Sequence, residues 1–63
     1  MITTEKSWHT EREWFVRRGG SYLGEVMYYP ASMRWHARPW RSSGRRTGMF
    51  FDTMADAIDF VAL

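Results

Sequence analysis

Between Met33 and Arg38 the side chains alternate residue by residue. Met33, Trp35 and Ala37 fall on one side, Arg34, His36 and Arg38 on the other. A period of two over six residues is the mark of a strand with one buried and one wet face, the arrangement of an antiparallel sheet. The wet face here is basic. Pro39 has no N–H for a ladder, so it either ends the strand or places it at a sheet edge.

The flanking segments read the same way. Glu11–Arg18 is rich in β-formers, with Trp14 and Val16 on one face and Phe15 and Arg17 on the other. Gly19-Gly20-Ser21 supplies the positive φ of a tight hairpin, and Tyr22–Tyr29 returns as a second strand. Gly24 within it marks a bulge or a close approach of another backbone. Pro30-Ala31-Ser32 turns the chain into the Met33 strand, and Thr47–Phe51 makes the last one. Residues 1–10 show no clean period. They are expected as a loose N-terminal arm or an edge extension anchored by Trp8, with residues 11–63 forming a single small domain.

A helix closes the sequence. Thr53 is its N-cap and Asp56, three residues on, completes a capping box, while Asp52 and Asp56 suit the positive end of the helix dipole. Met54, Ala57, Ile58 and Val61 recur at i, i+3, i+4 and i+7, an apolar stripe to face the sheet. The expected architecture is therefore α+β: an antiparallel meander of three or four strands packed on one C-terminal helix. Its core should comprise Trp14, Val16, Val26, Trp35, Met49, Phe51, Met54, Ala57, Ile58 and Val61. Val26 and Phe51 depend most on register, since a one-residue slip would replace them with Met27 and Phe50.

The chain has 63 residues and no cysteine, so neither a disulfide nor a thiolate zinc site can support the fold. Stability must come from eleven aromatic residues or from association with a second copy. Phe60 and Leu63 lie off the apolar stripe. With the helical pattern still open at Leu63, they are candidates for a homodimer or partner contact. No stretch approaches the ~18 apolar residues of a membrane span. Met1–Lys6 lacks the layout of a signal peptide, so a soluble, cytoplasmic protein is expected.

Charge is unevenly placed. All eight arginines lie between Arg12 and Arg46, opposed there only by Glu13 and Glu25, and the last fifteen residues carry three aspartates and no base. Arginine interleaved with tryptophan and tyrosine suits phosphates and bases, and equally a protein hot spot. Arg17, Arg34, Arg38, Arg41, Arg45 and Arg46 are the candidate contacts, with His36 as a polar neighbour and Trp40 as a stacking anchor. The plain alternative is a solvated face whose arginines pair with Glu13, Glu25 and the tail aspartates.

The run Gly48-Met49-Phe50-Phe51-Asp52-Thr53-Met54-Ala55-Asp56-Ala57-Ile58-Asp59-Phe60, preceded by Trp35-His36-Ala37, resembles a strand-to-helix signature of two related groups. These are the DNA-binding domain of plant ethylene-response factors and the arm-site-binding domain of phage-type integrases. The resemblance covers about residues 33–62. It implies a three-stranded sheet on one helix that reads the DNA major groove with its exposed face, and a phage or mobile-element setting. It would place Arg34, Arg38 and Trp40 on the reading face and Arg45 and Arg46 near a phosphate. Pro39 and the Tyr22–Tyr29 strand depart from that pattern.

The leading expectation is a small accessory protein that binds nucleic acid, DNA before RNA. The rival is an inhibitor or adaptor docking on an acidic patch of a host protein. No enzyme activity, cofactor or metal is expected. Ser42 and Ser43 lack a histidine or acid at a useful offset, and His9 and His36 have neither cysteine nor carboxylate at ligand spacing.

Overall fold

A computed structural model describes residues 1–8, 11–40 and 48–63. Five strands, β1 (Ile2–Lys6), β2 (Glu13–Arg18), β3 (Ser21–Tyr29), β4 (Arg34–Pro39) and β5 (Met49–Phe51), precede one helix, α1 (Met54–Val61). The strands form one antiparallel sheet in the order β1-β2-β3-β4-β5. This is the expected α+β meander on one C-terminal helix, with one strand more than anticipated. The extra strand is β1. Ile2–Lys6 pair with Arg18–Trp14, so this part of the first ten residues is an edge extension and not a loose arm. Trp8 does not anchor it by burial, being largely exposed. The next residue back is buried instead: Ser7 donates its N–H to the Glu13 carbonyl at 2.8 Å.

Turn chemistry sets the register. Gly19 and Gly20 alone separate the paired residues Arg18 and Ser21, and Gly19 takes φ +60°. Both readings of Gly24 hold at once. The β2–β3 register shifts between Val16 and Arg17, leaving Leu23 as the extra residue of a bulge. Gly24 also sits at φ +149°, where a Cβ would lie 2.5 Å from the Arg38 carbonyl oxygen. At the other end the β3–β4 turn places Met33 at φ 56°, so Met33 belongs to the turn and β4 begins at Arg34. Pro39 ends β4, which lies inside the sheet between β3 and β5.

Paired residues share a face, so the ladder sorts the side chains into two sets. Trp14, Val16, Val26, Trp35, Ala37 and Phe51 face the helix, and α1 rests chiefly over β4 and β3. The buried core is Val16, Val26, Ala37, Ala57 and Val61. Trp14, Trp35, Phe51, Met54 and Ile58 pack around it half-buried, joined by Ile2, Leu23 and Phe60. Val26 and Phe51 thus keep the assigned register. Met49 is a correction: it remains 48 % exposed, because β5 is the outer strand and the helix lies mainly inward of it.

An eight-residue helix is marginal alone, so its ends matter. The Asp56 N–H donates to Thr53 Oγ1 at 3.1 Å, a cap contributing about 1 kcal/mol. At the other end Arg18 donates to the Ala62 carbonyl at 2.7 Å, so one terminal carbonyl is satisfied within the chain and needs no second subunit.

Candidate functional site

The sheet face opposite the helix carries the candidate residues. Alternation sends Phe15 and Arg17 from β2, Tyr22, Glu25, Met27 and Tyr29 from β3, Arg34, His36 and Arg38 from β4, and Phe50 from β5 to that side. Their rings gather into two clusters at opposite corners.

The first cluster sits at the end of the sheet bearing the Gly19-Gly20 turn. Tyr22 contacts Phe15 edge-on, with ring centroids 6.0 Å apart, and contacts Trp40 at 5.5 Å. The Trp40 N–H donates to the Leu23 carbonyl at 3.0 Å, so the β3 bulge itself positions this residue just past the end of β4. Trp40 keeps 54 % of its surface exposed. The Arg17 guanidinium lies 5.7 Å from the centre of the Tyr22 ring and also pairs with Glu5 at 3.4 Å.

Beneath these rings lies a carboxylate. Glu25 is buried, with 9 % of its side chain exposed, and accepts from both Arg38 and the Tyr22 hydroxyl. Glu13 is buried on the same face. Burial first, and then the charge of Glu25 and its hydrogen bond, hold the Tyr22 phenol above its ordinary value. The ring is therefore a neutral hydrogen-bond donor at any physiological pH.

The second cluster lies at the β5 edge. Tyr29, His36 and Phe50 contact one another with centroids 5.9, 5.5 and 4.8 Å apart. His36 is part of this stack, not an isolated polar contact beside the arginines. Its ring edge lies so close to Gly48 that a Cβ there would fall 2.5 Å from Nε2.

Three of the arginines expected on the basic face are described, and each of these is matched by an acid. Arg17 pairs with Glu5, Arg34 with Asp52 at 3.6 Å, and Arg38 with Glu25. Arg38–Glu25 and Arg34–Asp52 are the cross-strand and tail pairings of the plain solvated alternative. Arg41, Arg45 and Arg46 lie outside the described residues, as does His9. Of the two residues proposed for a dimer or partner contact, Phe60 is half-buried and packs on Phe51 with ring centroids 5.4 Å apart, as part of the helix–sheet contact. Leu63 is 82 % exposed.

Sequence reasoning did not assign Tyr22, Tyr29 or Phe50 to the site, and named Glu25 only as a pairing partner of the arginines. Alternation could have placed Tyr29 with Met27 and Phe50 opposite Phe51, but nothing in the order of residues brings Tyr22 to Trp40, eighteen positions away. Among the described residues no three His, Asp or Glu side chains group as a metal site, and no helix is long and apolar enough to cross a membrane. No protein-family model, curated protein or solved structure matches this chain.

Proposed function

We propose that this is a non-enzymatic binding module that docks on a partner protein through the Phe15–Tyr22–Trp40 corner of its open sheet face. The observation that carries this reading is the neutralisation of the face among the described residues. Arg17, Arg34 and Arg38 all have carboxylate partners, and Glu13 and Glu25 lie buried among them. A phosphate backbone needs a continuous cationic strip, and buried carboxylates along its path would repel it. A compact aromatic patch with arginine at its margin instead suits a protein hot spot, where Trp, Tyr and Arg dominate the binding energy. The outward portions of Arg17 and Arg38 favour acidic groups around the docking partner's apolar contact.

One observation favours nucleic acid as a second reading. The described residues hold six Lys and Arg against seven Asp and Glu, so the whole positive excess of the chain resides in Arg41, Arg45 and Arg46. That segment begins directly after Trp40. In this reading Trp40 stacks on a base while the following arginines meet phosphate, in the manner the resemblance to DNA-binding domains implies.

Capture from host lysate with and without nuclease separates the two, repeated with Trp40→Ala. Protein docking requires partners that survive nuclease and are lost with Trp40→Ala. Disappearance of every partner on nuclease treatment defeats it. Titration of a labelled duplex and a labelled single strand at low and high salt tests the second reading directly. Nucleic-acid binding requires affinity that falls steeply with salt, and no binding at low salt removes it.

A further inference from the structure

Among the described residues the open face carries three glutamates, and the fold treats one of them differently. Glu5 stands opposite Phe15 in the β1–β2 ladder and pairs with Arg17. Glu25 stands opposite Phe15 on its other side, from β3, and accepts from Arg38 and the Tyr22 hydroxyl. Glu13 lies two residues before Phe15 on β2, so it belongs to the same face, opposite Met27. Glu13 keeps 9 % of its surface and Glu25 7 %, so both are withdrawn from water to the same degree. Yet among the described residues the Glu13 carboxylate has neither an ion pair nor a hydrogen bond. Only its main-chain carbonyl is engaged, by the Ser7 N–H. A carboxylate taken out of water without a donor is costly, and native folds rarely keep one without a use. Burial and Glu25 do most to hold the Tyr22 phenol above its ordinary value, and the Glu13 charge adds to them, so Glu13 is within electrostatic reach of the aromatic corner.

We propose that Glu13 is the acceptor for an arginine side chain supplied by the docking partner, an assignment that rests on the reading of this face as a protein-docking surface and names the partner's chemistry. The face itself shows the pairing that Glu13 would complete. Glu5 and Glu25 are each matched by a guanidinium, and the Arg17 guanidinium also lies 5.7 Å from the centre of the Tyr22 ring. Glu13 offers the same two surfaces, a carboxylate and the Phe15 ring roughly 7 Å along the strand, to a cation from outside the chain. Arginine suits this site better than lysine. Its planar guanidinium is weakly hydrated, bonds both carboxylate oxygens at once and stacks on an aromatic ring, whereas an ammonium must shed a tightly held water shell. Met27, half-buried opposite Glu13, is unbranched and yields readily to an incoming side chain. The partner surface is thereby specified: an apolar group for Trp40, acids for the outward portions of Arg17 and Arg38, and one arginine for Glu13.

The probe is N-acetyl-arginine methylamide, titrated into the full chain at constant ionic strength and followed by the Met27 methyl resonance. Saturable millimolar binding is expected, the scale of one bidentate ion pair, at least about fivefold tighter than that of N-acetyl-lysine methylamide. Glu13→Gln should weaken it at least about fivefold, while Asp59→Asn, an equal loss of charge at an exposed position of α1, should leave it unchanged. Stability tests the unpaired carboxylate without any probe. Glu25→Gln should lower the urea midpoint because it weakens the hold on Arg38, whereas Glu13→Gln should keep or raise it. A Glu13→Gln chain that fails to fold, or loses as much as Glu25→Gln, overturns the inference, since the charge would then be serving the fold. So does the absence of a saturable shift at ~50 mM arginine probe, equal affinity for the lysine probe, undiminished binding to Glu13→Gln, or equal weakening by Asp59→Asn. The probe needs no partner protein, so its failure is separate from failure of the docking reading, which the lysate capture with Trp40→Ala decides.

Discussion

The two aromatic corners of the open face are built from similar rings and differ in what surrounds them. Phe15, Tyr22 and Trp40 sit over a buried carboxylate and between two arginines, and Trp40 is held by a backbone hydrogen bond to the β3 bulge. Tyr29, His36 and Phe50 sit at an apolar edge, where the nearest ion pair, Arg34–Asp52, is open to water on both sides. The lesson is electrostatic. Arginine over a buried acid is a structural commitment, because removing it strands a desolvated charge, whereas arginine over an exposed acid is nearly free to leave. The first corner should be rigid and expensive to alter, and the second tolerant.

The most severe way to break the first corner is through its backbone. At Gly24 a Cβ would meet the Arg38 carbonyl at 2.5 Å and the Pro39 Cα at 2.9 Å, and φ +149° strains any L side chain. Gly24→Ala should cost about 3 kcal/mol or more, shown by urea denaturation with a shifted Trp emission in the folded state. A Gly24→Ala protein as stable as the parent would mean that the bulge does not hold the corner.

The arginines provide the direct contrast. Arg38→Met leaves Glu25 buried without its cation; since Arg38 is itself largely exposed, the loss should be about 1–2 kcal/mol. Arg34→Met leaves Asp52, 83 % exposed, to water, and should cost no more than about 0.5 kcal/mol. Equal losses in parallel denaturant titrations would erase the distinction between the corners.

A smaller effect, of opposite sign, is expected beside the second corner. Met33 holds φ 56° in the β3–β4 turn, a left-handed conformation that a side chain resists. Relief of that strain by Met33→Gly, less the added freedom of the unfolded chain, should gain about 0.5 kcal/mol, read as a small rise in the midpoint of unfolding.

The weakest test is pH. The folded protein holds the Tyr22 proton more tightly than the unfolded chain does, so its contribution to stability is complete below the ordinary phenol value of ~10. It is lost as pH rises through the higher folded value. Stability should therefore decline more steeply above pH ~10 in the parent than in Tyr22→Phe. Identical alkaline profiles would mean that neither burial nor Glu25 tightens the hold on the Tyr22 proton.

Much of the framework was legible in the order of residues. Alternation around Trp35 and Ala37, the Gly19-Gly20 turn and the Thr53 cap each rest on local rules of period, φ and hydrogen bonding, and each appears where those rules put it. β1 was legible only as one of two alternatives, because Thr3, Thr4, Glu5 and Lys6 form an edge strand that buries little and so shows no hydrophobic alternation. The contact of Phe60 with Phe51 was not legible, because a helical wheel measures the angle of Phe60 from the apolar stripe and cannot include Phe51, which approaches from the preceding strand.

The sequence by itself determined the kind of fold, the tight Gly19-Gly20 turn, and the supply of arginine and aromatic side chains, all of which follow from short-range periodicity and composition. Only the tertiary structure decided which charges meet. A basic composition is a sum over residues, but a basic surface is a matter of distances. Strand pairing set Glu5 beside Arg17, Glu25 beneath Arg38 and Asp52 beside Arg34 across separations that no local pattern records.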